Sequence, residues 1–320
     1  MKDHFHKQIT FRLVLFTMIA GGYCSAVLSL GQEPERNINL ALPTMGGSQF
    51  WTDHRWWYGW RVQQNAITGH WRLLDKQDVR RAWGSKESCL AELNKRRAVV
   101  GLPEEQPDIV ILVHGLMRSV DSMRPLEESL DKEGIKQPAL FGYASTRASV
   151  DDHAAALREF VENIPGRPRV SFVGHSLGNI VVRRTIAMWQ AEDAQQVLPR
   201  LHRVVMLGPP NQGATIAKNL SGLGVFETVT GSSGKALGPA WDELQSKLTV
   251  PPCPFLIVAG EVNPPVGNPL VSGASDFVVS IEETKLEGAT EHKTVPVLHS
   301  FLPNDPRVMS ITLEFLNRAM

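Results

Sequence analysis

The chain has 320 residues, 42% of them hydrophobic and 21% charged, enough to close a full core, which excludes a disordered protein. Lys+Arg and Asp+Glu balance at 33 each, so the broad basic surface that nucleic acid or an anionic membrane would select is excluded as well. No CxxC pair and no His-Glu-x-x-His segment occurs, so no zinc signature is present, and nothing in the sequence calls for a cofactor.

At the N-terminus, Lys2, Lys7 and Arg12 precede an apolar run from Leu13 to Leu30, and Gln32-Glu33-Pro34-Glu35 returns the chain to polar character. Residues 1–31 read as a secretory signal peptide cleaved after Gly31, with small residues at Ser29 and Gly31. This predicts a secreted or periplasmic protein. An uncleaved membrane anchor is the rival, weakened by Gly21, Gly22, Ser25 and Ser29. Once Cys24 is removed with the signal, Cys89 and Cys253 remain, either as a disulfide formed on export or as two buried thiols.

Residues 32–107 form an extension ahead of the main domain. Six of the eight tryptophans fall in it: Trp51, Trp56, Trp57, Trp60, Trp71 and Trp83. Gly59 to Gln63 and His70 to Leu74 suggest two antiparallel strands, and Ser85 caps a helix through about Arg97 with Cys89, Leu90 and Leu93 on one face. The tryptophans either pack this hairpin onto the core or present a sugar- or lipid-binding surface.

From Asp108 onward, apolar strands alternate with amphipathic helices, the pattern of a parallel sheet covered on both faces. Strands are expected at Asp108 to Val113, Pro138 to Tyr143, Val170 to Val173, His202 to Leu207, Pro254 to Ala259 and Val295 to Leu298. Helices are expected at Ser119 to Leu130, from Ser149 to Ile164, after Ser176, and after an Asp305 N-cap with Val308, Ile311, Phe315 and Leu316 on its buried face.

Two strand ends stand out. Asp108 to Val113 ends in His114-Gly115-Leu116, and the strand at Val170 ends in Gly174-His175-Ser176-Leu177-Gly178 before an apolar helix. A serine on so sharp a strand-to-helix turn is held in strained geometry, with glycines where side chains would strike the neighbouring strand and helix. It stands over a helix N-terminus, where free N–H groups and the dipole favour negative charge on a substrate oxygen.

Together these segments resemble the alpha/beta-hydrolase fold, in its lipase and esterase branch, over residues 108–320. The resemblance implies a serine hydrolase in which Ser176 is the nucleophile and the amides of Leu116 and Leu177 form the oxyanion hole. It also implies the order nucleophile, acid, histidine. Of the histidines after Ser176, His202 begins a strand at the wrong edge, His292 falls in a charged stretch, and His299 follows the last apolar run, where the family's histidine lies. Asp276 resembles the Asp of the family's Asp-Gly-x-Val segment, with Phe277 in place of glycine, and Glu261 competes for the role. His114 and His175 suit shaping of the oxyanion turns; Arg118 and Ser119 either contact substrate or lie in solvent. Gly208 to Gly213 resembles a Thr-Pro-His-x-Gly turn but carries Asn211 in place of histidine, which puts a substrate or metal role there in doubt.

Such a protein would cleave carboxylic esters of small molecules or lipids through an acyl-enzyme, with no metal and no nucleic acid partner. The same triad serves thioesterases, amidases and acyltransferases, and a hydrolase-fold binding module without activity is the remaining alternative. The segment at about 213–247 reads as a lid over Ser176 or a fixed pocket wall, with Leu220, Leu223, Val225, Phe226, Val229, Leu237 and Trp241 as its apolar underside and Gly222, Gly224, Gly231 and Gly234 as candidate hinges.

Overall fold

A computed structural model describes residues 49–101, 108–134, 137–192, 195–221, 224–262, 268–271 and 273–318. The proposed signal peptide lies outside the described residues, as do Gly222, Leu223 and the side chains of Val225, Phe226 and Val229.

The first four strands are β1 (Trp51–Trp57), β2 (Trp60–Asn65), β3 (Trp71–Leu74) and β4 (Arg80–Gly84), and they form an antiparallel sheet in that order. Helix α1 (Lys86–Val100) closes it, capped by the Ser85 side chain and stopped at Gly101 in the left-handed region. Its Cys89 and Leu93 pack with Trp57, Val62 and Leu73 into a small core. The expected hairpin is thus the middle of a larger sheet. Strands β1 and β4 escape the sequence pattern because charged and apolar residues do not alternate cleanly in either: Arg55 interrupts one at a register shift, and Arg80 and Arg81 open the other.

The second sheet is parallel, in the order β10-β9-β8-β7-β5-β6. In chain order its elements are β5 (Ile109–Val113), α2 (Arg124–Lys132), β6 (Gln137–Phe141), α3 (Val150–Glu162), β7 (Val170–His175), α4 (Leu177–Glu192), β8 (Leu201–Leu207), α5 (Thr215–Leu220), α6 (Gly224–Leu237), α7 (Trp241–Gln245), β9 (Phe255–Gly260), α8 (Ile281–Thr284), β10 (Glu291–Val295) and α9 (Pro306–Asn317). The central strands are apolar throughout because both faces are covered. Ile109, Ile111, Val113, Phe172, Val204 and Met206 pack on one face with residues of α3 and α4. Val110, Leu112, Val173, Val205 and Leu207 pack on the other with Leu126 and Leu130 of α2 and Val308 and Phe315 of α9.

The last strand corrects an expectation. It runs from Glu291 to Val295 and includes His292, whereas Val295 to Leu298 was expected. As an edge strand paired only to β9, it keeps alternate residues partly exposed, so Glu291-His292-Lys293-Thr294 is a tolerated strand sequence that reads as a loop. Of the two alternatives open for the cysteines, the structure shows the second. Cys89 and Cys253 are free thiols, each pushed up to about 11 by burial, one in the small core and the other against the main one.

Both sheets lie within one compact unit. Strand β1 packs along α3, where His54, Arg55 and Lys86 converge on Glu159. Trp56 joins the main core and Trp57 the small one. In the small sheet the buried Arg72 lies over the Trp51 ring, and the half-buried Lys86 over that of Trp71. Among the described residues no helix is long and apolar enough to cross a membrane.

Candidate active site

Strand order alone singles out one place on the parallel sheet. The chain leaves β5 for its neighbour β6 and returns to β7 on the other side of β5, so the crossovers diverge at the C-terminal ends of β5 and β7. Register places Val113 beside Gly174, and the two turns His114–Leu116 and His175–Leu177 therefore emerge side by side.

At the second turn Ser176 has φ 51°, a left-handed conformation that costs a non-glycine residue roughly 1–3 kcal/mol and persists because its surroundings over-determine it. Its N–H donates to the Leu207 carbonyl at 2.9 Å, and Asn179 Nδ2 donates to the Ser176 carbonyl at 3.2 Å and to Leu207 O at 3.3 Å. A Cβ at Gly178 would fall on the carbonyl oxygens of Val113 and His114, and one at Gly174 on the Asn179 side chain. These are the collisions that the glycine spacing avoids. Asn179 is the contributor that the sequence does not reveal, since a polar residue in the first turn of a helix reads as solvated.

Asp276 and His299 meet from two loops. His299 Nδ1–H donates to Asp276 Oδ2 at 2.6 Å, and the His299 N–H donates to the Asp276 carbonyl at 2.9 Å. The other carboxylate oxygen accepts N–H groups of Val278 at 3.0 Å and Val279 at 2.8 Å. Asp276 is wholly buried, and these bonds hold it in one orientation. With Nδ1 committed, Nε2 is the ring nitrogen left to exchange a proton. Phe277 has φ 84°, the region where glycine sits without strain, which accounts physically for the glycine of the resembling segment. Glu261 hydrogen-bonds through its backbone N–H to Val295, and the carboxylate joined to His299 is that of Asp276.

The other candidate histidines go elsewhere. His202 pairs with Ser171 Oγ at the start of its strand, far along the sheet from the turns, and His292 pairs with Thr284 Oγ1. His175 Nε2–H donates to the His299 carbonyl at 3.0 Å; burial, then the nearby His299, keeps its imidazole well below the ordinary range and therefore neutral. Burial likewise holds His114 down to about 4. Its Nδ1–H donates to Gly115 O at 2.9 Å while Nε2 accepts the Tyr143 N–H at 3.3 Å. Asn211 is buried between Arg183 and the Thr284 carbonyl, a structural post. Among the described residues no group of three or more His, Cys, Asp or Glu could hold a metal ion.

Ser176 and His299 open into one cavity of about 420 Å³, lined also by Leu116, Met117, Ile216, Leu220, Leu237 and Val279, with Arg118 hydrogen-bonded to Ser300 at 2.6 Å near its mouth. Leu177 is the first residue of α4, where helical N–H groups have no intrahelical partner. Ser119, by contrast, caps the short turn before α2. Helices α5 and α6 contribute the apolar wall. Within segment 213–247 the described residues 213–221 and 230–247 are tied down: Ser232 and Ser233 hydroxyls donate to Ala148 O, Thr215 N–H to Glu283 Oε1, and Gly231 lies so close to Thr146 O that a Cβ has no room.

Residues 103–220 match the family described as "Putative serine esterase (DUF676)". No curated protein matches the chain by sequence. Among solved structures, the mature form of the lipase BlEst2 of Bacillus licheniformis is similar at 18% identity and a TM-score of 0.52, over 67% of this chain and 93% of that one. A metagenomic carboxyl esterase is similar at 14% identity and a TM-score of 0.50, over 65% and 74% of the two chains. A Legionella pneumophila phospholipase, PlaB, solved with thio-NAD, is similar at 18% identity and a TM-score of 0.50, over 66% and 58%. These likenesses establish the fold, a parallel sheet with helices on both faces, as that of the alpha/beta-hydrolases.

Proposed function

We propose that this alpha/beta-hydrolase is a serine hydrolase of carboxylic esters, and that Ser176, His299 and Asp276 are its triad. The observation that carries the reading is the buried 2.6 Å Asp276–His299 bond behind a cavity that His299 and a strained Ser176 both line. Serine attacks poorly until a base takes its proton. In the proposed reaction Ser176 Oγ adds to the ester carbonyl as His299 Nε2 receives the proton, and Asp276 stabilises the resulting imidazolium. The amides of Leu177 and Leu116 hold the oxyanion. His299 then returns the proton to the leaving alcohol, and water, activated by the same imidazole, releases the acid and frees Ser176.

The substrate class follows from the cavity. Its walls are Leu116, Ile216, Leu220, Leu237 and Val279, which suit an acyl chain, and the Arg118–Ser300 pair supplies polarity at the mouth. We assign esters with an aliphatic acyl group, lipid esters included, and read segment 213–247 as the fixed wall of that pocket. The charged N-terminal segment followed by its apolar run supports a reading in which the protein is exported.

A fluorophosphonate probe tests the mechanism: it should label the wild type at Ser176 and leave Ser176→Ala untouched. Hydrolysis of p-nitrophenyl esters of graded length then reads the pocket. An unlabelled wild type with no ester turnover would overturn the assignment.

A further inference from the structure

The segment that follows β6 alternates its attachments. The amides of Gly142 and Ala144 point to the N-terminal sheet, where Gly142 N–H donates to Asp53 Oδ2 at 2.6 Å and Ala144 N–H to Thr52 Oγ1 at 3.2 Å. Tyr143 and Ser145 point the other way, to the first oxyanion turn. Tyr143 Oη donates to His114 O at 2.8 Å, its ring stacks on the His114 imidazole with centroids 4.3 Å apart, and Ser145 Oγ accepts the Met117 N–H at 3.0 Å. Leu116, whose amide is proposed to hold the oxyanion, lies between His114 and Met117.

Asp53 is wholly buried on β1, and both of its oxygens are in use. Oδ1 accepts Gln63 Nε2 at 2.7 Å, and Gln63 Oε1 in turn accepts Arg72 Nε at 2.8 Å, which fixes the amide's orientation. The Asp53 N–H also donates to the Gly142 carbonyl at 2.8 Å, so one residue holds Gly142 by both its N–H and its carbonyl. A buried carboxylate is a costly way to stabilise a packing contact that an apolar residue would make. What it supplies is a fixed position for a backbone.

We infer that Asp53 is a positioning residue for the oxyanion turn, acting from the N-terminal sheet through the strip Gly142–Ser145. The inference rests on the esterase reading, because it takes the Leu116 amide as an oxyanion donor. It gives the tryptophan-rich extension a catalytic purpose. Small displacements of a donor matter because its bond to the oxyanion strengthens only in the transition state.

Asp53→Asn discriminates well. Both hydrogen-bond partners of the carboxylate are donors, and the Arg61 guanidinium stands 4.0 Å from Oδ2, so an amide must turn its NH2 toward a donor and gives up the charge facing Arg61. With p-nitrophenyl butyrate as substrate and active sites counted by phosphonate titration, Asp53→Asn should lower kcat about 10- to 100-fold with KM within about twofold of wild type. Leu73→Ala, in the small core and away from the strip, serves as the purely destabilising control: its melting temperature should fall while kcat per active site is unchanged. If Asp53→Asn does not fold, Thr52→Val carries the test, with kcat expected to fall about three- to tenfold. An unchanged kcat in Asp53→Asn, or in Thr52→Val where that variant carries the test, or an equal loss in Leu73→Ala, would overturn the inference. Failure of the esterase reading is distinct, since wild type would then neither turn over ester nor take the probe.

Discussion

The two sheets solve burial in opposite ways. In the parallel sheet, β5 and β7 are covered on both faces and every residue in them is buried, so the strands end at well-defined points and their turns are held in register. The antiparallel sheet is thin, with partly exposed tryptophans and a core of only a few side chains, and it is held to α3 by the buried Trp56 and by charge: Glu159 receives His54, Arg55 and Lys86. A large apolar core can tolerate a strained serine and a buried Asp–His pair; a thin sheet can brace a neighbour. The proposed chemistry accordingly falls on the first and the inferred support on the second.

The sharpest way to break this division is to remove the triad. Ser176→Ala and His299→Ala should each lower ester turnover by about 10⁴-fold or more, and the double variant should lose little beyond either, because the two act as one unit. Asp276→Asn should cost about 10³- to 10⁴-fold, by leaving His299 without the acceptor that sets its tautomer. Glu261→Gln should stay within about threefold of wild type. Rates per folded molecule measure all four, and a Glu261→Gln loss exceeding that of Asp276→Asn would move the acid to Glu261.

Acid should separate the two regions by pH window. His114 is held at about 4 in the folded chain against an ordinary 6.5, so the unfolded chain binds its proton first. Its contribution, roughly 3 kcal/mol, is complete above about pH 6.5 and is lost as pH falls toward 4. His153, also held at about 4 by burial and then by its neighbour His114, acts in the same window. Glu159 behaves as a carboxylate: burial alone would raise it, but His54, Lys86 and Arg55 bring it down to about 2 from 4.5. Its contribution is present above pH 4.5 and is lost as pH falls toward 2. Urea midpoints across pH 7 to 2.5, followed by far-UV circular dichroism for the whole chain and by tryptophan fluorescence, which six of eight indoles assign to the N-terminal region, would show the first loss before the second.

The smallest effect is expected in segment 213–247. As a tethered wall it should show equal hydrogen-exchange protection with and without a phosphonate on Ser176; protection gained on labelling would make it a lid.

The parallel sheet and the geometry of its candidate site were legible because local chemistry wrote them. Continuous apolar runs such as Ile109 to Val113 have no other use in a chain of this composition, and glycines two residues before and two after Ser176 have a steric reason that no distant residue supplies. The hairpin at Trp60 and Trp71 was likewise within reach of a period-two pattern. Strands β1, β4 and β10 were not: Arg55, Arg80 and Lys293 sit in them because an edge or a partner helix accepts a charge there, and that is knowledge of neighbours. The same holds for Asp276 against Glu261. Both follow β9, and only the folded loops show which carboxylate reaches His299, because the choice depends on the Val278 and Val279 amides that hold one of them in place. Tertiary structure alone also decided that Asp53 grips Gly142, a contact across 89 residues between a strand that the sequence hides and a turn that carries no motif. Motifs record what a residue needs from its immediate chain, whereas a brace of this kind is defined by what happens to lie opposite.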